Sequence, residues 1–197
     1  MEITSAMVKE LRDRTNVGMM DCKKALKDSS GDIEKAVDLL RQKGLAKAMK
    51  RAGRDATDGL VHAYIHGGGK IGVLVEVNCE TDFAAKSEDF GEFVRNVALQ
   101  IAAANPMGIT SEDIPQEIVE RERAIYMAQA AESGKPQNVL EKMVDGKMRK
   151  FFEENALMQQ KFIKDPDKSM QDYLNELISK VGEKIQVRRF SRYQLGE

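Results

Sequence analysis

The sequence is poor in the residues that build covalent cross-links and metal sites. Its 197 residues include no tryptophan, two histidines and two cysteines, Cys22 and Cys79. The cysteines lie far apart and no histidine or further cysteine clusters near them, which argues against a disulfide framework and a zinc site. We therefore expect no metal and no cofactor, and a reducing cytoplasm suits the chain.

The charges are nearly balanced. There are 31 Lys and Arg residues against 32 Asp and Glu residues, for a formal net charge of -1. This balance lacks the broad positive field that binds a phosphate backbone, so we expect no direct nucleic-acid partner. No apolar run reaches the ~18–20 residues of a membrane span, and polar Glu2, Thr4 and Ser5 stand where a signal peptide would be apolar. We expect a soluble protein that contacts no membrane.

The first fifty residues have the pattern of three short helices. Breaks near Gly18 and at Ser29–Asp32 separate them, and Gly44 is predicted to end the third. Each carries one apolar stripe at helical spacing: Ile3, Met7, Val8 and Leu11; Cys22, Ala25 and Leu26; Ile33, Ala36, Val37 and Leu40. The pattern predicts a three-helix bundle that forms a separate domain over residues 1–53.

Beyond a cationic linker the period of the apolar residues changes from 3.6 to 2. The alternating apolar residues are Val61, Ala63 and Ile65, then Ile71, Val73, Val75, Val77 and Cys79. Gly67 to Lys70 join the two stretches, which predicts a β-hairpin over 59–79. Because two strands alone are marginal, a last strand at about 184–194 is predicted to complete a three-stranded antiparallel sheet.

Helices are predicted between the hairpin and the last strand. One opens at Ser87 and carries an apolar face formed by Phe90, Phe93, Val94, Val97 and Ile101. Pro115 and Pro136 begin two more, and Ser169 begins a fourth after a loop at 164–168. The second domain, residues 54–197, is thus predicted to be α+β, with helices packed over one face of the sheet.

Few residue patterns suggest chemistry. The run from His66 to Lys70 is rich in glycine, but a phosphate-binding loop needs a helix after it, and here a strand follows. His62 and His66 share one strand face without a third metal ligand nearby, so a solvated face is favoured over a metal site. No nucleophile, base and orienting group are grouped together, which argues that the protein is not an enzyme.

Two places interrupt the folding pattern. Met19 and Met20 follow the break at Gly18 beside several lysines, which is typical of a protein-binding edge, although core methionines are equally common. Asp82 and Phe83 lie just beyond the predicted strand. Phe83 precedes Phe90 by seven residues, so the periodicity alone favours a core position that extends the next helix.

Several stretches form a long and specific pattern. They are Thr4–Arg12, Gly18–Leu26, Gly31–Ile33, Glu76–Phe83, 133–136, 142–148 and 185–189. Together they resemble the elongation factor Ts family along nearly the whole chain. Ala84 departs from the family pattern, in which valine is usual at that position.

The resemblance implies a guanine-nucleotide exchange factor that binds elongation factor Tu with GDP and promotes GDP release in translation elongation. It implies that the first domain is similar to ubiquitin-associated (UBA) domains and docks on the GTPase domain of Tu. The residues at the matching docking positions are Lys9, Met19, Met20 and Lys23. Asp82 and Phe83 match a wedge beside the nucleotide site, and less securely aligned contact positions fall on His66, Ile163 and Ile185.

The resemblance also implies a homodimer, because long family members have two core halves and this chain has room for one. A generic adaptor that carries a UBA-like module is the alternative function. Such a protein would not accelerate GDP release from Tu.

Overall fold

The computed structural model describes residues 3–15, 17–51, 53–133 and 136–197, except for the side chains at 45 and 47–50. The chain is α+β, as predicted. Its helices are α1 Ser5–Thr15, α2 Met19–Asp28, α3 Ile33–Arg51, α4 Asp82–Ala85, α5 Glu88–Ala104, α6 Gln116–Ala131, α7 Gln137–Asn155 and α8 Met170–Val181. Its strands are β1 Asp58–His66, β2 Ile71–Cys79, β3 Lys161–Phe162, β4 Asp165–Ser169 and β5 Ile185–Gln194.

The first three helices pack around a small apolar core. The Thr4 hydroxyl accepts a hydrogen bond from the Met7 N–H at 3.3 Å and so caps α1. The buried apolar residues all belong to the predicted stripes: Val8, Leu11, Cys22, Ala25, Leu26, Ala36 and Leu40. Met7, Ile33 and Val37 of the same stripes are partly buried against them. The three predicted helices are therefore present, and they share one core.

The third helix is longer than predicted. It passes through Gly44 and ends at Arg51, so the expectation that Gly44 ends it was wrong. A Cβ at Gly44 would lie 4.0 Å from the Ser179 Cβ of α8, and the Arg41 guanidinium forms an ion pair with Asp172 of α8. The helix therefore continues through Gly44 although a glycine inside a helix costs ~1 kcal/mol relative to alanine.

A three-stranded antiparallel sheet has the order β1-β2-β5, as predicted. The hairpin turn is closed by the Lys70 N–H, which donates to the His66 carbonyl at 3.1 Å. Gly59 has a φ of +141°, and a Cβ there would collide with the Val77 backbone. Only glycine therefore fits at this point of the β1–β2 pair.

One face of β2 is buried, and so are the apolar faces of two helices. In β2 the buried apolar residues are Val73, Val75, Val77 and Cys79; in α5 they include Phe90, Phe93, Val94, Val97 and Ile101; in α8 they are Met170, Leu174, Leu177 and Ile178. The Phe93 and Tyr173 rings lie 5.1 Å apart, which joins α5 to α8. The helical face predicted from Phe90 to Ile101 is confirmed.

The predicted loop at 164–168 was wrong, because part of it forms strand β4, which pairs with β3. Lys161 pairs with Ser169, and Phe162 pairs with Asp165. The Gln100 side chain of α5 donates to the Lys161 carbonyl and accepts from the Ile163 N–H. These tertiary hydrogen bonds hold a short hairpin that has no alternating apolar pattern of its own.

The chain separates into two compact units. One comprises Met1–Val61, Glu76–Arg95 and Asp172–Arg188, and the other comprises His62–Val75, Asn96–Gln171 and Arg189–Glu197. The domain boundary at residue 53 stays a prediction. Among the described residues, no helix is long and apolar enough to cross a membrane.

Candidate protein-binding surface

A short helix directly after β2 presents Asp82 and Phe83. Thr81 caps this helix, α4, because its hydroxyl accepts a hydrogen bond from the Ala84 N–H at 3.3 Å. Ala84 and Ala85 are buried and attach α4 to the protein, while the two residues before them face solvent. A four-residue helix with a buried side holds the exposed pair in a defined position.

Phe83 is a surface residue and not part of the core. Its exposed fraction is 83%, whereas Phe90 is 0% exposed. The chain turns between α4 and α5: the Ser87 hydroxyl donates to the Ala84 carbonyl at 2.7 Å and accepts from the Phe90 N–H at 3.3 Å. The spacing of seven therefore does not place both rings on one face, and the core alternative that periodicity favoured was wrong.

Asp82 is paired within its own helical turn. The Lys86 ammonium donates to Asp82 Oδ2 at 2.6 Å, and this hydrogen bond with its charge attraction lowers the pKa of Asp82. The carboxylate also lies in the first turn of α4, where negative charge is favourable. Asp82 thus carries its charge beside the exposed phenyl ring.

Cys79 lies buried below this turn. Its Sγ donates to the Thr81 carbonyl at 3.1 Å, and burial followed by the nearby Glu183 charge raises the pKa of the thiol to about 11. A thiol of this kind stays protonated and is a poor nucleophile. Its geometry indicates a packing role at the end of β2.

In the three-helix bundle, the predicted docking positions are occupied by Lys9, Met19, Met20 and Lys23, a set of residues that we call the docking face. Met19 is 57% exposed and Met20 is 80% exposed, and both lysines are exposed. The interior side of α2 is filled by Cys22, Ala25 and Leu26. Neither methionine is therefore a core residue, which leaves both thioether chains accessible to a partner.

The three less securely aligned positions differ in exposure. His66 is exposed, and its Nδ1 lies 2.9 Å from the Tyr64 hydroxyl. Ile163 is 42% exposed in the β3–β4 turn. Ile185 is only 3% exposed at the start of β5, and its contact with a partner stays a prediction.

The glycine-rich run has the geometry of a hairpin turn. Gly67, Gly68 and Gly69 all have positive φ, and β2 follows at Ile71. A phosphate-binding loop requires a helix at this place. Within the described part of the chain, no three His, Cys, Asp or Glu side chains are grouped as metal ligands.

Two glutamates beside α4 were not singled out by the sequence patterns. Glu183 follows α8 and binds Thr81, and Glu80 follows β2 and binds the Lys184 N–H. About one hundred residues separate the members of each pair along the chain, so local periodicity could not reveal them. The only indication in the sequence that Glu80 contributes to this region was its place within the Glu76–Phe83 stretch.

Comparisons with known proteins cover the entire described fold. The family model described as "Elongation factor TS" matches residues 3–197. The elongation factor Ts of Syntrophobacter fumaroxidans is 75% identical over 196 residues, with 100% of this chain and 98% of the relative covered. That of Desulfosudis oleivorans is 60% identical over 99% of this chain and 98% of the relative, and that of Carboxydothermus hydrogenoformans is 61% identical over 99% and 90%. The chain belongs to the elongation factor Ts family of translation elongation factors.

Proposed function

We propose that this protein is a guanine-nucleotide exchange factor that binds elongation factor Tu in its GDP-bound form and accelerates release of GDP. The protein makes and breaks no covalent bond in this process. It acts in the cytoplasm, where its partner GTPase works during translation elongation.

The exposure of Phe83 is the observation that carries the proposal. A phenyl ring that is 83% exposed to water gains free energy when a partner covers it, and aromatic side chains are enriched among the residues that dominate binding energy. The short, capped helix α4 presents the ring at a fixed place, with the charged Asp82 beside it. This combination suits a wedge that enters a preformed crevice in Tu.

The mechanism is thermodynamic linkage. If this protein and GDP favour different arrangements of Tu, each weakens the binding of the other by the same factor. Phe83 inserts beside the nucleotide site and displaces the elements that hold the phosphates and their Mg²⁺ ion. Loss of the metal removes a major counter-charge to the phosphates, so GDP dissociates faster.

The docking face supplies binding energy away from the wedge. Met19 and Met20 offer flexible apolar contacts, and Lys9 and Lys23 offer positive charge at its rim. Contacts that form equally with GDP-bound and empty Tu raise affinity without changing the exchange step. We therefore assign docking to the bundle and displacement to Phe83.

The linkage predicts a measurable reciprocity. Titration calorimetry would give the affinity of this protein for nucleotide-free Tu and for Tu with GDP and Mg²⁺. We expect tighter binding to empty Tu, by the same factor by which this protein weakens GDP binding. Equal affinity for both forms would contradict the proposal and would favour a simple adaptor.

We also propose that the protein is a homodimer. Ile65 and Leu74 are exposed on the outer face of the hairpin, where the Ile65 side chain lies over Gly72. An antiparallel sheet with apolar residues on both faces needs a cover on the second face as well. A second copy of the chain supplies a matching apolar face by symmetry.

A further inference from the structure

The turn between α8 and β5 holds the beginning of α4. The Glu183 carboxylate accepts hydrogen bonds from the Thr81 N–H at 3.0 Å and from the Thr81 hydroxyl at 2.7 Å. The same hydroxyl oxygen accepts from the Ala84 N–H, so its own proton is available for Glu183. Gly182, with a φ of +85°, allows the chain to leave α8 and place the glutamate there.

The Glu183–Thr81 hydrogen bonds form one bridge between the two segments, and Glu80 forms a second bridge in the opposite direction. The Lys184 N–H donates to Glu80 Oε1 at 2.6 Å, and Arg54 Nη1 reaches the two Glu80 oxygens at 3.3 and 3.2 Å. The Lys184 N–H and the Arg54 charge lower the pKa of Glu80, which therefore remains a carboxylate. The two residues that precede Asp82 are thus bound to the two residues that follow Gly182.

These bridges matter because Phe83 cannot be oriented by contacts of its own ring, which is 83% exposed. The direction of the ring follows from the backbone of α4. That backbone is fixed on one side by buried Ala84 and Ala85 and at its beginning by Thr81. Glu183 accepts hydrogen bonds from both donors of Thr81, its N–H and its hydroxyl group.

We propose that Glu183 is a positioning residue for exchange, which acts by holding Thr81 so that α4 presents Phe83 to the GTPase in the competent direction. This inference rests on the proposed exchange function. A wedge that is already ordered does not lose conformational entropy on binding. If only a fraction of the molecules present the ring in the competent direction, the apparent affinity of the wedge contact is multiplied by that fraction.

The test is a double-mutant comparison of Glu183→Ala and Phe83→Ala, alone and combined, in the full-length chain. Stopped-flow release of fluorescent GDP from Tu, measured over a range of factor concentrations, separates the half-saturating concentration from the maximal rate. We expect Glu183→Ala to lower the maximal rate about tenfold or more, as expected for the loss of at least one hydrogen bond to a carboxylate. The half-saturating concentration should change less, because the docking face is intact.

Two further variants separate positioning from general stability. Glu183→Gln retains a carbonyl acceptor for the Thr81 N–H and should recover most of the maximal rate; no recovery would count against positioning by hydrogen bonds. Lys180→Ala removes a neighbouring ion pair, with Asp89, that joins α8 to α5 without touching α4. It should exchange as the unmodified protein does.

The combined variant decides the inference. Once Phe83 is truncated, its direction is irrelevant, so Glu183→Ala should slow exchange no further. The same fold-loss in both backgrounds, or a loss that equals the unfolded fraction seen by circular dichroism, would overturn the positioning role. If Phe83→Ala alone leaves exchange unchanged, the wedge and its positioning both fail. If the unmodified protein does not accelerate GDP release, the proposed function itself fails.

Discussion

Replacement of Phe83 by alanine should separate binding from folding. Full burial of a phenylalanine side chain contributes ~1.5–3 kcal/mol, but this one is 83% exposed, so its contacts contribute less than about 0.5 kcal/mol to folding. Since ~1 kcal/mol shifts the melting temperature of a protein of this size by ~2–4 °C, we expect a shift below about 2 °C. Alanine also favours the helical conformation more than phenylalanine does, which opposes even this small loss.

The same change should weaken the complex with Tu much more strongly. Truncation of an aromatic residue at the centre of an interface costs ~2 kcal/mol or more, which corresponds to roughly thirtyfold weaker binding. The assay combines a thermal melt with titration calorimetry against Tu and stopped-flow GDP release. Phe90→Ala is the contrasting control: its ring is 0% exposed, and its loss should cost ~3–5 kcal/mol of stability. If Phe83→Ala unfolds the protein, or retains both the fold and full exchange, the wedge assignment is refuted.

Three other changes test separate parts of the structure. Met20→Ala should change the free energy of unfolding by less than about 0.5 kcal/mol, because the side chain is 80% exposed. It should nevertheless raise the concentration of the protein that half-saturates GDP exchange. An unchanged half-saturating concentration would remove Met20 from the docking face. Leu74→Lys should convert a dimer to a folded monomer by placing charge on the outer sheet face, as measured by light scattering at micromolar concentration; a monomeric unmodified protein would end the dimer proposal. Cys79 has its pKa raised from 9.0 to about 11, so its stabilising effect is complete below pH 9 and is lost as the pH rises through 11. Urea unfolding should therefore show a larger loss of stability between pH 8 and pH 10.5 for the unmodified protein than for Cys79→Ala, and equal losses would contradict the shifted thiol.

The fold was predictable wherever the residues repeat with one period. The stripes of the bundle and the alternation from Val73 to Cys79 each place one apolar face against a core, so the local pattern and the tertiary structure agree. In β1 they do not agree, because Val61 and Ile65 alternate in the sequence but are 64% and 66% exposed. Gly44 misled the prediction, since glycine usually ends a helix but here lies where α3 passes α8. The β3–β4 hairpin was missed because it is held by Gln100, which precedes Lys161 by 61 residues.

The candidate site was predictable only in part. Periodicity assigned Phe83 to the core, and the turn at Ser87 that removes it from the α5 face depends on hydrogen bonds that the apolar pattern does not encode. The resemblance to the family identified Asp82 and Phe83 as a pair, and both are exposed, whereas Ile185 from the same resemblance is buried. Glu183 could not be found from sequence, because its role depends on the approach of two segments 102 residues apart.

The central claim is tested most directly by the rate at which fluorescent GDP leaves elongation factor Tu after rapid mixing with excess unlabelled GDP. We predict that this protein increases the rate in a concentration-dependent manner up to a plateau, and that Phe83→Ala lowers the plateau while the variant stays folded. A GDP release rate that is the same with and without the protein would contradict the account.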